Sequence, residues 1–426
     1  MPLGRGKSNL PRAVYWIAAL AIPLRIGARL YYSGISDYWD EGYTFFIRLA
    51  ENIARGHGIA ENGVATGFRV PLYPILLAGL TLGHRAFWPV VITQSIFGAA
   101  TIVLTALLAF RLFPGPAAAR AAILAAAVTA IYPYYVFHDT ALQETSLYTL
   151  LTLIAVLVLQ DVKRNGSTIA GGMAGVVLGL DVLTRATIAP FAALVPFWLF
   201  WHRRIRPGLV CAILLAATIL PWILRNYIVL GDPTLSTETG VQFWTGNNGL
   251  LFRYYPSQSS DISKDYAMST LTPQDQQELK RIAGSEKLTS EWFFHKGLQY
   301  VEAHPLQTIL DGLRKNVAAF NWLPSPRRRL AIDLAYGLSY GPVMLLGLWG
   351  MFRHRAHWRE DSLIYLLFAS FMLVTGVFWA HTSHRVHLDV YWIAFGAGAC
   401  AETGLSLRKE ALSSRHSDSQ PLPTTK

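Results

Sequence analysis

The sequence predicts an all-α polytopic membrane protein of about ten transmembrane helices. Of its 426 residues 52% are hydrophobic and only 15% charged, where a soluble globular chain carries roughly 25% charged residues. Long apolar runs alternate with short basic clusters. A spanning helix needs about 20 mainly apolar residues, and segments of that kind fall near 13–31, 88–112, 118–137, 142–160, 168–184, 186–201, 208–229, 331–351, 362–380 and 386–404.

The first run follows Arg5, Lys7 and Arg12, as a signal peptide would. No small-residue cleavage site comes after it, and Arg25, Arg29, Tyr31 and Tyr32 do, which predicts an uncleaved first span. Residues 32–70 then form an amphipathic loop. It carries Ser36-Asp37-Tyr38-Trp39-Asp40-Glu41-Gly42-Tyr43 and an amphipathic helix from Leu49 that stops on Gly56 and Gly58. The apolar stretch from Pro71 to Leu82 is too short to cross comfortably and is bracketed by Pro71, Pro74 and Gly83.

Charge decides the status of that stretch. If it lies in the interface, the basic loops Arg111 to Arg120, Lys163-Arg164, Arg203-Arg204-Arg206 and Arg353 to Arg359 share the side of the basic N-terminus, as do Arg408 and Lys409. Basic loops mark the cytoplasmic side, so both termini are expected there. The first loop, the His138 to Glu144 turn, the Leu183-Thr184-Arg185 corner and the His381 to His387 segment then face outward.

The chain accordingly divides into a membrane core 1–229 with the first outer loop 32–70, an outer-face (periplasmic) region 230–330, C-terminal spans 331–405 and a polar cytoplasmic tail 406–426 expected to be disordered. Within 230–330, Pro273 to Ala283 and Ser290 to Ala303 read as helices, the second capped by Ser290 and carrying Trp292, Phe293, Leu298 and Val301 at near-helical spacing. The absence of organellar signals and the compact loops fit a bacterial inner (cell) membrane.

The net charge of +11 is the kind of excess that nucleic-acid binders carry. Here the arginines sit in short loops between apolar runs, which is the membrane pattern, so no nucleic-acid partner is expected. Cys211 and Cys400 both fall in apolar runs and supply neither a disulfide framework nor a zinc cluster. Asn165-Gly166-Ser167 matches a glycosylation sequon but falls on the cytoplasmic side. Tyr31, Tyr32, Trp88 and Trp322 suit interfacial belts. Tyr38 and Trp244 suit either a belt or stacking on a sugar ring.

Acidic residues close to a bilayer are costly and tend to mark function. Asp40 and Glu41 equally suit the start of a loop helix near Gly42, where a helix dipole favours negative charge. The motifs downstream of them shift the balance. Ala50 to Gly58, Arg69-Val70-Pro71-Leu72-Tyr73-Pro74, Leu142-Gln143-Glu144-Thr145, Leu183-Thr184-Arg185, Pro221-Trp222-Ile223-Leu224-Arg225-Asn226, Gly246-Asn247-Asn248, His304-Pro305 and Lys315 come in order along nearly the whole chain. In that order and spacing the sequence resembles the polytopic GT-C glycosyltransferases related to protein O-mannosyltransferases and to the aminoarabinose transferase of lipid A. It departs from the family pattern mildly, with Val70 in place of a first proline, Gln143 before Glu144, and Val386 after Arg385.

The resemblance implies a sugar carried on a polyprenyl phosphate, an acceptor lipid, glycan or protein outside the cytoplasm, and the first-loop aspartate as general base. Chemistry supports that role independently. A sugar–phosphate leaving group departs as a weakly basic anion and needs charge stabilisation rather than a general acid, whereas glycosidases need two carboxylates. One base and cationic groups for the phosphate suffice. Asp40 is the expected base, with Glu41 orienting it or the acceptor; Asp37 lies on the same loop but off the pattern.

For the donor phosphate, arginine offers bidentate hydrogen bonds. Arg69, Arg185 and Arg385, with His384, are the expected donor-binding groups, each weighed against snorkelling or helix-end capping; Arg225, His381 and His387 lie on the same face. Glu144 is expected either to bind the acceptor or to support the residues that do. A divalent metal at the His138-Asp139-Glu144 turn is the less favoured alternative, because no tight ligand spacing such as His-x-x-x-His occurs there; no cofactor is otherwise expected.

Two other classes compete. A transporter would carry mid-membrane ionisable residues in broken helices within repeated halves, but here most charges sit at span ends and no repeat appears. A polysaccharide ligase or polymerase would rely on outer-loop arginine and histidine chemistry rather than a first-loop Asp-Glu pair.

Overall fold

The computed structural model describes residues 9–33, 37–40, 43–379 and 381–417, and every segment expected to span the membrane is helical in it. The chain runs through α1 (Arg12–Ser33), α2 (Thr44–Ala54), α3 (Leu72–Thr81), α4 (Phe87–Leu112), α5 (Ala118–Ile131), α6 (Pro133–His138), α7 (Thr145–Asn165), α8 (Thr168–Thr184), α9 (Ala189–Trp201) and α10 (Ile205–Leu230). The region after it holds α11 (Thr239–Gly246), α12 (Ser263–Ser269), α13 (Pro273–Ile282), α14 (Glu286–Ala303) and α15 (Pro305–Ala319). Three long helices close the chain: α16 (Leu330–Arg353), α17 (Trp358–Val377) and α18 (Val386–Ser417).

Among the described residues, six helices are long and apolar enough to cross a membrane: α1, α4, α7, α10, α16 and α17. This is an integral membrane protein. The other expected spans are helical where expected but shorter or more polar. α5 is cut at Tyr132 by Pro133, which cannot continue the hydrogen-bond ladder and opens α6 instead. α8 and α9 have 17 and 13 residues. α18 carries His387 and Asp389 in its first turn. α3, the stretch expected to lie in the interface, has 10 residues.

α18 is the axis of the core. Its residues Val386 to Phe395 are buried without interruption, so helices surround it on every side: α16, α5, α4 and α7. Small residues permit the closest of these contacts, because interhelical packing in lipid depends on backbone approach. Gly347 and Gly350 of α16 abut Trp392 and Phe395, and Gly398 of α18 abuts Phe113. α8 brings a stripe of Gly171, Gly175 and Gly179 against Pro207, Cys211 and Thr218 of α10.

The first loop folds on a smaller core. α2 turns Phe46, Ile47 and Ala50 against Tyr73 and Leu77 of α3 and Val90 and Val91 of α4, and Tyr38 and Trp39 join them. α2 stops at Gly56 (φ 80°), as the glycines predict. A two-residue hairpin comes next, Ala60 facing Ala65 and Glu61 facing Val64. Its turn, Asn62-Gly63, has φ of 51° and 78°, the left-handed pair that such turns require.

In the region 230–330, α13 falls on the expected residues and α14 starts earlier than expected. The cap is Ser285, whose hydroxyl accepts from Leu288 N at 3.3 Å. Ser290 instead accepts Gly240 N at 3.1 Å, joining α14 to α11. α18 runs on through Ser417, so the tail expected to be disordered from 406 is helical as far as that residue. Leu407-Arg408-Lys409-Glu410-Ala411-Leu412 are strong helix formers, and their intrinsic propensity outweighs the polarity of the stretch.

The two ends of the bundle are chemically distinct. At one, Arg111 pairs with Asp161 at 3.1 Å, Arg204 donates to Lys163 O at 2.9 Å, and Lys163 donates to Arg359 O at 2.5 Å. These are the basic loops that charge groups together. At the other end sit the first loop, the Glu144 turn, Arg185, the 230–330 region and the His381 segment.

Candidate active site

The site is built around a glutamine. Gln94, buried in α4, donates through Nε2 to Ala141 O at 2.8 Å and Gln143 O at 3.2 Å. Its Oε1 accepts the hydroxyls of Tyr38 at 3.4 Å and Tyr73 at 3.5 Å. One amide therefore ties the 3-10 turn Asp37–Asp40 to the turn that presents Glu144. Of Asp40, the expected base, the backbone alone is described, at the end of that turn; Glu41 lies outside the described residues. Tyr43, just after them, lies within electrostatic reach of Glu144, Arg185 and Arg69.

Two of the expected phosphate-binding arginines meet there, each held by a carboxylate. Arg69 Nη1 is 2.6 Å from Glu238 Oε2, and its guanidinium lies over the rings of Phe45 and Phe68 at 5.1 and 5.5 Å. Arg185 Nε is 3.4 Å from Glu144 Oε1, with Tyr148 beneath it at 5.4 Å. Burial raises the Glu238 carboxyl above its usual range; Arg69 opposes that shift and Glu144 adds to it. Glu238 also bonds Gln242, which accepts Trp379 Nε1 at 2.5 Å, and Trp379 packs on His384 at 5.2 Å. A continuous path thus joins Arg69 in the first loop to the segment that opens α18.

The histidines there are held neutral. Burial first, and then Arg185, push His384 well below the usual imidazole range. Burial lowers His381 to about 4, with Arg328 and Arg385 adding to the shift and Asp261 opposing it. The cavity behind His384 and His387, walled by Tyr148, Ile188, Phe191 and Phe371, is about 20 Å³. That holds about one water and is too small for a sugar.

The structure does not bring Arg385 to this group. It is fully buried, lies 3.4 Å from the centre of the Tyr340 ring, donates to Thr382 O at 2.7 Å and Ala319 O at 3.2 Å, and has Asp389 at 3.8 Å. Arg225 donates to Thr66 O and Ile59 O at 2.7 and 2.8 Å, fastening the first-loop hairpin. Lys315, buried, donates to Asn247 Oδ1 at 3.3 Å and Gly376 O at 2.9 Å.

His138, Asp139 and Glu144 share a turn but not a centre. His138 meets Gln143, Asp139 pairs with Arg25 at 2.8 Å, and Glu144 faces Arg185. No group of three or more His, Cys, Asp or Glu among the described residues is placed to hold a metal ion. Tyr38 belongs to the packed core of the first loop, and Trp244 packs on Phe293 while also lining a cavity of about 380 Å³ with Asn248, Leu250, Leu271 and Tyr300. Sequence reasoning missed Gln94, Glu238, Gln242 and Trp379. Gln94 sits among apolar residues of α4, an uncommon position for an amide, and that was a readable signal.

Residues 70–225 match the sequence profile of the dolichyl-phosphate-mannose-protein mannosyltransferases. No curated protein sequence matches the chain. Among solved structures it is similar to the Archaeoglobus fulgidus oligosaccharyltransferase in the apo form, with a TM-score of 0.54 and 14% identity over 96% of this chain and 52% of that one. The archaeal oligosaccharyltransferase AglB from the same organism, in complex with an inhibitory peptide and a dolichol-phosphate, gives 0.50 and 13% over 97% and 52%. The chain spans about half the length of these proteins. The resemblance read from the motifs is thereby borne out: the chain has the GT-C membrane fold, and its residues 70–225 match the protein mannosyltransferase family.

Proposed function

We propose that the protein is an inverting glycosyltransferase that moves a sugar from a polyprenyl-phosphate donor to an acceptor hydroxyl or amine at the outer face of the membrane. The observation that carries this reading is the convergence of Arg69 and Arg185 beside Tyr43, three residues beyond Asp40. The family match over 70–225 and the dolichol-phosphate bound to a protein of similar fold support a lipid-linked donor.

In the proposed reaction the acceptor oxygen or nitrogen attacks the anomeric carbon while the bond from that carbon to the phosphate oxygen breaks. The electron pair leaves on polyprenyl phosphate, and Asp40 takes the acceptor proton, with Glu41 orienting the acceptor. The departing phosphate gains negative charge, so cations aimed at it act most strongly in the transition state. Arg69 and Arg185 supply them by exchanging a carboxylate for the phosphate; a guanidinium fork suits either partner. Neutral His384 borders the donor pocket as a hydrogen-bonding wall, and Glu144, released from Arg185, faces the acceptor.

Incubating the purified protein with polyprenyl-phosphate sugars and measuring released polyprenyl phosphate tests the reading. Release is expected with the native protein and lost in Asp40→Asn at unchanged thermal stability. Undiminished release by that variant removes Asp40 as the base.

A further inference from the structure

The stretch 230–330 reads from sequence as wholly outside the membrane, yet α15 is not built for water. Its inner side buries Asp311, Lys315, Ala318 and Ala319. Its outer side presents Leu306, Ile309, Leu310, Leu313 and Val317, all between 54% and 77% exposed. Spacing of three and four residues places these five on one face of the helix. An exposed apolar stripe of that length on a soluble domain marks a binding surface.

Where α15 lies decides the partner. Gly312 approaches Gly376, Asn316 Nδ2 donates to Met372 O at 3.1 Å, and the Phe320 ring lies 5.7 Å from Phe371. As numbers rise along α15 they fall along α17, so α15 runs back down the side of a spanning helix. Residues 320–323 turn at this depth: a Cβ on Gly341 would lie 3.3 Å from the Trp322 ring, while one on Gly337, nearer the start of α16, would lie 2.9 Å from Leu323 and 3.7 Å from the Trp322 carbonyl oxygen. Gly337 is about 10 Å along the 24-residue α16 from Leu330 at 1.5 Å per residue. That is about a third of a ~30 Å hydrocarbon core, with the Trp322 ring reaching further in.

The stripe also continues the exposed apolar faces of Met372, Leu373 and Val377 on α17 and of Leu334 and Leu338 on α16. We propose that α15 and residues 320–323 form a re-entrant element, dipping into the leaflet on the site's side with the stripe against lipid hydrocarbon. Non-spanning backbone at that depth needs its polar groups satisfied by protein. Beyond the helical ladder of α15, Phe320 N donates to Asn316 O at 3.0 Å, Asn321 N to Ala318 O at 3.3 Å and Leu323 N to Asn321 Oδ1 at 3.1 Å, while the inward side chains of Lys315 and Asn316 donate to Gly376 O and Met372 O of α17. Through Lys315, the same element steadies the junction of α11 and α17 on which Gln242 and Trp379 sit.

Nitroxide labels on single cysteines test this in the full chain, with Cys211 and Cys400 replaced by serine, reconstituted in phosphatidylcholine vesicles. At Leu306→Cys, Leu313→Cys and Val317→Cys, collision with oxygen should exceed collision with a water-soluble nickel complex. The ratio should rise from 306 to 317. Equal or greater nickel collision overturns the proposal. So does shielding from both reagents, the signature of a second protein copy on the stripe. If one variant misfolds, as judged by size-exclusion elution, the gradient is read from the other two and from Ile309→Cys.

Discussion

Arg185 bears on three groups of the candidate site: it faces Glu144, lies over Tyr148 and acts electrostatically on His384. Losing one preorganised stabiliser of transition-state charge costs about 100-fold or more in rate. Arg185→Ala should therefore lower kcat/KM for a polyprenyl-phosphate sugar by ~100-fold, measured by released polyprenyl phosphate. Arg185→Lys should recover only part, since lysine keeps the charge but not the fork.

The neighbouring histidines bear on stability rather than rate. A histidine held neutral by burial binds fewer protons folded than unfolded, so acid favours the unfolded chain. The stability tied to neutral His381 is fully present above pH 6.5 and is lost as pH falls from there toward about 4. Thermal unfolding in detergent between pH 4 and 8 should show that slope, and His381→Gln should lessen it, neutral His384 leaving the remainder. These groups were legible as residue types. Their carboxylate partners were only half so: Glu144 was found within a motif, but Glu238 comes from an unremarkable loop and reaches Arg69 only through the fold.

Elements pack here by how closely backbones approach. A Cβ on Gly175 would collide with the main-chain carbonyl of Cys211, which has no flexible end to move aside. Gly175→Ala must push α8 from α10, at about 1–3 kcal/mol. Gly27, in α1, has nothing within 4 Å of its added Cβ, and Gly27→Ala should be neutral or stabilising by ~0.5–1 kcal/mol. Thermal unfolding of the two variants side by side checks this. The helices themselves were readable because a span announces itself in twenty residues of composition. α14 began earlier than expected because two serines competed for its start, and Ser290 was taken by Gly240 of a distant helix. The re-entrant course of α15 was hidden for a related reason. Its mean composition is that of a soluble helix, and only its packing on α17 reveals what the apolar stripe faces.

For the whole molecule, the open claim is sidedness. The bundle segregates the loops that charge groups together, with the Arg111, Lys163 and Arg204 contacts at one end and Arg69, Glu144, Arg185 and His384 at the other. That separation is a property of the fold, and the positive-inside rule adds direction to it. A lipid-linked sugar is amphipathic and keeps its phosphate at the interface, so the proposed transfer would occur at whichever leaflet the Arg69 end meets. Labelling with a membrane-impermeant thiol reagent decides the matter, using exposed positions at the two ends, His57→Cys and Arg203→Cys. In intact cells the cysteine at 57 should react and the one at 203 should not, with the order equalised once the membrane is opened. The reverse pattern would place the Arg69 end in the cytoplasm, and the proposed reaction would then need a cytoplasmic acceptor.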